Sequence, residues 1–155
     1  MPEFLEVTVD KFTFKVAADR FYTREGVWVS PLLVGEGPGV RMRIGLSDFL
    51  QQRSGDIAFA EVKPVGTTLA VGDEVASIET IKVNVALGSP VSGKVIEVNP
   101  DMDTAPEAIN QDPYGKGWLV VIEAPDWDAD RSRLLDPAAY FEVVKREAEE
   151  EMKKQ

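Results

Sequence analysis

The amino-acid sequence predicts a mainly β protein, a small β-sandwich or flattened barrel with short helices at its margins. Short segments in which apolar residues alternate with polar or small ones recur along the chain, as at 40–46 and 83–87. Glycine-rich turns separate these segments, and helical patterns occur only beside or after them. A length of 155 residues and a hydrophobic fraction of 44% fit one domain that can bury a core.

The N-terminal part is predicted to consist of strands. Residues 1–20 form an N-terminal extension, in which the alternation from Phe12 to Val16 predicts a strand or hairpin with one packing face. Glycine and proline residues at 35–39 predict a turn. The alternation at 40–46 then predicts a half-buried strand.

A short helix is predicted after this strand. Ser47 is a favourable N-cap, Asp48 suits the positive end of the helix dipole in the first turn, and Gly55 would end the helix after Arg53. Beyond the helix, β-branched or alternating runs predict further strands at 57–65, 75–81, 83–87 and 94–98.

The next segment is predicted to combine a short helix with one strand. Thr104 and Glu107 have the spacing of a capping box and predict a short helix that runs to Asn110. Residues 118–122 predict a buried strand, and 125–133 a connector.

A terminal helix is predicted over 135–155. Asp136 provides an N-cap, and Pro137 suits the first helical position. The predicted apolar stripe of this helix consists of Phe141, Val144, Ala148 and Met152.

Lys82 occupies the turn between the strands predicted at 75–81 and 83–87. No Asn-Gly or Gly-Gly pair marks an ordinary tight hairpin turn there. A lysine at the tip of a stiff ribbon combines a long, mobile stem with a reactive amine that can be approached from several directions. The position suits covalent attachment better than catalysis, and an ordinary exposed lysine is the alternative.

Composition excludes several classes of function. The absence of cysteine excludes disulfides and thiol catalysis, and the absence of histidine removes the commonest general base and metal ligand. A net charge of −10 disfavours nucleic acid and anionic membranes as partners. The sequence has no long apolar run and no recognisable secretory signal. We therefore expect a cytoplasmic protein, or a mitochondrial-matrix protein if the source is eukaryotic, although no transit peptide is visible.

The residues around Lys82 resemble a known cofactor-attachment motif. In Glu79-Thr80-Ile81-Lys82 the acidic residue precedes the lysine by three positions, and Gly93 follows the lysine by eleven. This pattern resembles lipoyl domains and, more closely, the H protein of the glycine cleavage system. Biotin carriers flank their lysine with methionines, whereas Ile81 and Val83 stand here, so biotin is disfavoured. An unmodified adaptor of the same fold is also less favoured, because the motif is intact.

The resemblance to H proteins extends from about residue 20 to residue 142. Beyond the hairpin it rests on Ala105-Pro106-Glu107, Asn110, Asp112-Pro113-Tyr114-Gly115 and Gly117-Trp118-Leu119, and on the segment from Leu134 to Phe141. Tyr114 and Trp118 are expected to pack within the fold, so that they identify the family without acting in its function.

The resemblance implies a lipoyl-domain-like fold over 21–134, a barrel-sandwich hybrid with the C-terminal helix packed on it. It implies a carrier and not an enzyme, with lipoate joined to Lys82 by an amide, no catalytic residue and no metal. A lipoate ligase or an octanoyltransferase would attach the group. Glu79, with Asp73 and Glu74, would form part of the acidic surface that this enzyme recognises, although solvated turn charge is an equal alternative for these three residues.

The same resemblance implies which enzymes the carrier visits. Glycine decarboxylase would load an aminomethyl group onto the arm, aminomethyltransferase would pass the methylene group to tetrahydrofolate, and dihydrolipoyl dehydrogenase would reoxidise the dithiol.

Three positions depart from the family pattern, and the apolar residues at two of them, Val27 and Ala86, fit an alternative cargo. Family members usually have His-Glu-Trp where this chain has Gly26-Val27-Trp28, an aspartate where it has Ala86, and histidines at the places of Phe49 and Arg53. Polar groups at the first two places line the cleft for the loaded arm, and a buried cationic cargo without a partner is costly. Glu25 is the nearby candidate for the missing carboxylate. The alternative function is a lipoate carrier of a heterodisulfide-reductase-like sulfur oxidation system.

Overall fold

The predicted mainly β architecture is confirmed by the computed structural model, which describes residues 3–32 and 40–153. The turn predicted at 35–39 lies outside the described residues. In chain order the elements are β1 (Phe4–Val9), β2 (Phe12–Ala17), β3 (Phe21–Tyr22), β4 (Val27–Pro31), β5 (Val40–Leu46), α1 (Asp48–Ser54), β6 (Phe59–Val62), β7 (Thr68–Leu69), β8 (Glu74–Glu79), β9 (Asn84–Gly88), β10 (Gly93–Val98), α2 (Asp101–Thr104), α3 (Ala108–Gln111), β11 (Val120–Ala124), α4 (Trp127–Arg131) and α5 (Pro137–Lys153).

Two antiparallel sheets form the body of the molecule. In the larger sheet the strand order is β3-β4-β5-β11-β10-β7, and in the smaller sheet it is β6-β8-β9. The half-buried strand predicted at 40–46 is confirmed as β5, in which Met42, Ile44 and Leu46 are all fully buried. They belong to one hydrophobic cluster with Ile78 of the smaller sheet, so the two sheets share a core.

The N-terminal extension forms the predicted hairpin. Its strands β1 and β2 pair from Phe4 opposite Ala17 to Val9 opposite Phe12. The inward face packs into a second hydrophobic cluster together with α1 and α5. The rings of Phe14 and Phe49 meet edge to face at 5.1 Å, which ties the hairpin to α1.

The terminal helix begins as predicted, but its buried face is rotated from the predicted stripe. The Asp136 carboxylate accepts a hydrogen bond of 2.8 Å from the backbone N–H of Ala139, as an N-cap should. Val144 and Ala148 are buried, whereas Phe141 and Met152 are only half-buried. Their places in the buried face are taken by Tyr140 and Val143.

Tyr140 explains the rotation of this helix. Its ring stacks on Tyr22 with centroids 4.4 Å apart, and its hydroxyl lies 2.7 Å from Ser47 Oγ. Burial raises the pKa of the Tyr140 hydroxyl, so the group remains neutral and able to donate a hydrogen bond at physiological pH. The helix therefore turns its aromatic face toward the body and its acidic residues toward solvent.

The capping box predicted at Thr104 is wrong. Thr104 is the last residue of α2, and α3 begins at Ala108 with no side-chain hydrogen bond from its N-cap Glu107. The Asn99 carbonyl oxygen Oδ1 accepts a 3.0 Å hydrogen bond from the backbone N–H of Asp101, which starts a helix earlier in the chain.

Several other boundaries differ from their predictions. The strand predicted at 57–65 is limited to Phe59–Val62, and a turn at 65–66 follows it. The strand predicted at 118–122 is Val120–Ala124, and the connector at 125–133 contains the short helix Trp127–Arg131. The half-buried Trp118 lies before its strand and packs its ring against the Arg43 guanidinium at 4.7 Å.

Candidate cofactor-attachment site

The turn that holds Lys82 is built by the side chain of Thr80. The Thr80 hydroxyl oxygen accepts hydrogen bonds of 3.1 Å from the backbone N–H groups of both Lys82 and Val83. The backbone N–H of Thr80 donates to the carbonyl oxygen of Val83 at 2.9 Å, closing the turn. Sequence reasoning assigned no role to Thr80, although serine and threonine hydroxyls commonly replace backbone partners in turns.

Lys82 itself is exposed, at the point where β8 has ended and β9 has not begun. A Cβ atom placed on Gly55 would lie 3.7 Å from Lys82 Cε, so the lysine stem passes beside the end of α1. The amine is accessible, and the backbone that carries it is fixed by Thr80. This combination suits the attachment of a group that must swing from a defined point.

The three acidic residues predicted as a recognition surface do not lie together. Glu79 is exposed and ends β8 next to the turn. Glu74 begins the same strand at its far end and pairs with Lys63 at 3.3 Å. The Asp73 carboxylate accepts a 2.8 Å hydrogen bond from the backbone N–H of Ala70 and so stabilises the preceding turn. Of the three, only Glu79 is placed beside Lys82.

The segment from Ser89 to Gly93 is fixed by a buried carboxylate that the sequence did not identify. Asp130 of α4 is 4% exposed. Its Oδ2 accepts two hydrogen bonds of 2.8 Å, one from the backbone N–H and one from the hydroxyl of Ser92. These bonds satisfy the carboxylate and anchor the chain where it enters β10.

A cleft of about 500 Å³ lies along β9. The lining residue nearest to Lys82 in sequence is Val85, three positions later, which is at most about 10 Å along the chain. Its apolar lining is contributed mainly by Val27, Leu50, Val71, Val85, Leu87 and Leu134. An alkyl chain with a sulfur heterocycle matches such walls in chemistry, so the residues present fit a lipoyl arm that folds back from the tip.

The charged residues of the cleft differ from those that the family pattern implies. Val27 and Ala86 both line it, as the resemblance suggested for these two positions, and neither supplies a charge. Glu25 contributes a carboxylate to the lining, and Arg24 and Arg133 contribute two cations. All three charged residues are exposed.

The departures in α1 have a structural explanation. Phe49 is 3% exposed and packs on Phe14 of the N-terminal hairpin. Arg53 pairs with Glu147 at 3.5 Å and with Glu151 at 3.0 Å, both on α5. These two residues therefore join α1 to the hairpin and to the terminal helix.

Residues 3–32 and 40–153 contain neither a candidate membrane span nor a candidate metal site. No helix there is long and apolar enough to span a membrane. Nor does this part of the chain bring together three or more side chains of the kinds that hold a metal ion.

Comparison with known proteins places this arrangement in a family. The family model described as glycine cleavage H-protein matches residues 20–147. A glycine cleavage system H protein of Carboxydothermus hydrogenoformans is 38% identical over 134 residues, covering 86% of this chain and 98% of the relative. One from Chlorobium limicola is 41% identical over 126 residues, covering 81% and 94%.

A solved structure agrees with these relatives. The crystal structure of a glycine cleavage system H protein from Mycobacterium marinum superposes with a TM-score of 0.68 at 28% identity, covering 79% of this chain and 94% of that one. The resemblance drawn from the motif is thereby confirmed, and these relatives do not favour the sulfur-oxidation alternative. The chain belongs to the glycine cleavage H-protein family of lipoyl carriers.

Proposed function

We propose that this protein carries lipoate on Lys82 and serves as the mobile carrier of a glycine cleavage system. The observation that supports this most directly is an exposed lysine on a rigid turn, three residues before an apolar cleft, in a chain of this family. The proposed partners are glycine decarboxylase, aminomethyltransferase and dihydrolipoyl dehydrogenase, with a lipoate ligase or octanoyltransferase as the attaching enzyme.

Each part of the site has a separate task in this proposal. When attached, lipoate supplies a dithiolane that accepts the aminomethyl group and two electrons. Thr80 fixes the direction in which the Lys82 stem leaves the turn. Amide formation removes the positive charge of Lys82, so that the tip can enter a partner's cleft without the cost of desolvating an ammonium group. Tethering raises the local concentration of the reactive group at each partner's active site.

The proposal is tested by attachment and by exchange. The purified protein, incubated with a lipoate ligase, lipoate and ATP, should gain one lipoyl mass on the peptide that contains Lys82. The lipoylated protein should then support exchange of labelled bicarbonate into the carboxyl group of glycine by glycine decarboxylase, and the unmodified protein should not. Attachment without exchange would contradict the glycine cleavage role, and absence of attachment would contradict the carrier role.

The cleft gives a second prediction, on retention of the cargo. Ala86→Asp places a carboxylate at an exposed position of the lining, and it should prolong the lifetime of the aminomethyl group on the arm about tenfold. The reason is that a charge-assisted hydrogen bond contributes about 1.5–3 kcal/mol. Because the carboxylate at position 86 would be exposed to solvent, its bond to the cargo should contribute about the smaller of these values. Mass spectrometry of the loaded protein over time measures the lifetime.

The matched control is Ala86→Asn, which has nearly the same size without the charge and should leave the lifetime within about twofold of wild type. Val27 is unsuitable for the same test, because it is 1% exposed and a carboxylate there would be buried in the core.

Glu25→Gln should shorten the lifetime if Glu25 is the carboxylate that wild type uses. Equal lifetimes for the aspartate and asparagine variants would show that a carboxylate at position 86 does not hold the cargo.

A further inference from the structure

Three exposed apolar side chains lie on the turn that carries Lys82 or on the strand pair that leads into it. Ile81 is 100% exposed, Phe59 is 67% exposed and Val83 is 41% exposed. Ile81 and Val83 flank the lysine in sequence, and Phe59 lies opposite Glu79 on the neighbouring strand. We call Phe59, Ile81 and Val83 the tip patch. A fully exposed isoleucine adds almost nothing to folded stability, so the fold itself gives no reason for an apolar residue at that place.

Acidic side chains border the tip patch. Across the outer face of the smaller sheet, Phe59, Glu79 and Asn84 form one row, and Glu61 lies opposite Ser77 in the next. These residues line a shallow groove of about 310 Å³. Neither Glu61 nor Glu79 takes part in an ion pair within the described part of the chain. The surface next to the lysine is therefore apolar at its centre and negative at its border.

We propose that the tip patch is the docking surface for the enzyme that attaches the acyl group to Lys82, and that this enzyme presents an apolar pocket with basic residues at its rim. The apolar centre matches such a pocket, and Glu61 and Glu79 match the basic rim by charge. The inference rests on the proposed attachment at Lys82 and adds which neighbouring residues the attaching enzyme contacts.

The short reach of the lysine side chain is the reason to assign the tip patch to the attaching enzyme and not to another partner. In the attachment step the neutral amine of Lys82 attacks the carbonyl carbon of an acyl adenylate or acyl thioester. The N–C bond forms, the bond to the adenylate oxygen or thiol sulfur breaks and its electron pair leaves with that group, and the amine loses a proton to the enzyme or to water. Only the four methylene groups of Lys82 separate the reacting nitrogen from the backbone, so the enzyme must cover the residues beside it. Enzymes that act at the far end of the completed arm can reach it without touching the tip.

The experiment compares Phe59→Ser and Ile81→Ser with Val65→Ser. Val65 is 59% exposed in the turn after β6, so it controls for the loss of an exposed apolar side chain away from the tip. We expect kcat/KM for lipoylation by a lipoate ligase to fall about 10- to 100-fold for Phe59→Ser, somewhat less for Ile81→Ser, and less than twofold for Val65→Ser. Thermal unfolding should be unchanged in all three, because these side chains are exposed.

A binding measurement separates docking from chemistry. In a Lys82→Arg background, where no acyl transfer occurs, Phe59→Ser should raise the Kd for the ligase by about the same factor as it lowers kcat/KM. Rates and affinities within twofold of the Val65→Ser control would overturn the docking surface. Normal lipoylation with impaired glycine exchange would overturn it in favour of glycine decarboxylase as the occupant. A wild-type protein that gains no lipoyl mass would instead overturn the carrier function on which the inference depends.

Discussion

Lys82→Arg is expected to abolish lipoylation completely. Arginine keeps the positive charge and a similar length, but its guanidinium remains protonated and does not act as an acyl acceptor. The side chain at this position is exposed, and the turn is held through backbone N–H groups and Thr80, so the substitution should not disturb the fold. Intact-protein mass spectrometry after incubation with ligase, lipoate and ATP should find no lipoyl mass, and glycine exchange should fall to background.

Lys94→Arg and Lys63→Arg are the matched controls for this result. Lys94 lies within β10, opposite Glu123 and Thr68 on the paired strands, and Lys63 pairs with Glu74. Lys94 lies within a strand, and Lys63 directly follows one and has its amine paired, so both variants should accept lipoate as wild type does. A lipoyl mass that persists in Lys82→Arg would place the attachment at another lysine, and the peptide map would identify it.

Local signals in the sequence predicted the features that adjacent residues determine. Ser47 Oγ accepts a hydrogen bond from the N–H of Leu50, and the Gly55 N–H donates to the carbonyl oxygen of Gln51, so both ends of α1 are closed as predicted. The position of Lys82 between two strands was likewise visible, because the alternation on each side of it is a property of a few consecutive residues.

The features that the sequence did not predict depend on residues far apart in the chain. The contact between Ser47 and Tyr140 joins positions 93 apart, and it rotates the buried face of α5. The hydrogen bonds from Ser92 to Asp130 join positions 38 apart. No local pattern marks such partners, because a buried polar pair is defined by the packing of two elements and not by the periodicity of either one. The capping box at Thr104 failed for a local reason instead, because the Asn99 side chain starts α2 a few residues earlier and Thr104 is the last residue of that helix.

Gly93 is the feature of the motif that the structure explains most fully. It follows Lys82 by eleven positions, and sequence reasoning used that spacing to recognise the family. Its φ is +152°, in the region that residues with a Cβ atom rarely adopt. A Cβ placed on it would collide with the backbone carbonyl oxygen of Glu123 and would lie 2.9 Å from Ile122 Cγ2. Because β10 begins at Gly93 and pairs with β11 from Lys94 onward, this collision would fall within the core sheet.

Gly93→Ala should therefore destabilise the protein by about 3–5 kcal/mol. The unfavourable φ contributes about 1–2 kcal/mol and the collision with rigid backbone contributes the remainder. At about 2–4 °C per kcal/mol for a domain of this size, the melting temperature measured by circular dichroism should fall by about 10 °C. Loss of this amount is a large part of the free energy of unfolding of a typical domain, about 5–15 kcal/mol.

Gly66→Ala separates the two causes. Gly66 has a φ of +99°, but a Cβ there would meet no atom within 4 Å, so only the backbone term of about 1–2 kcal/mol applies. Its melting temperature should fall by about 4 °C. If Gly93 acts only through the fold, Gly93→Ala protein kept well below its melting temperature should still accept lipoate on Lys82 at a rate within a few-fold of wild type. A Gly93→Ala variant with wild-type stability but no lipoylation would instead mean that the attaching enzyme contacts Gly93 directly. That contact would have to extend beyond the smaller sheet, which presents Lys82, to the larger sheet, which contains Gly93.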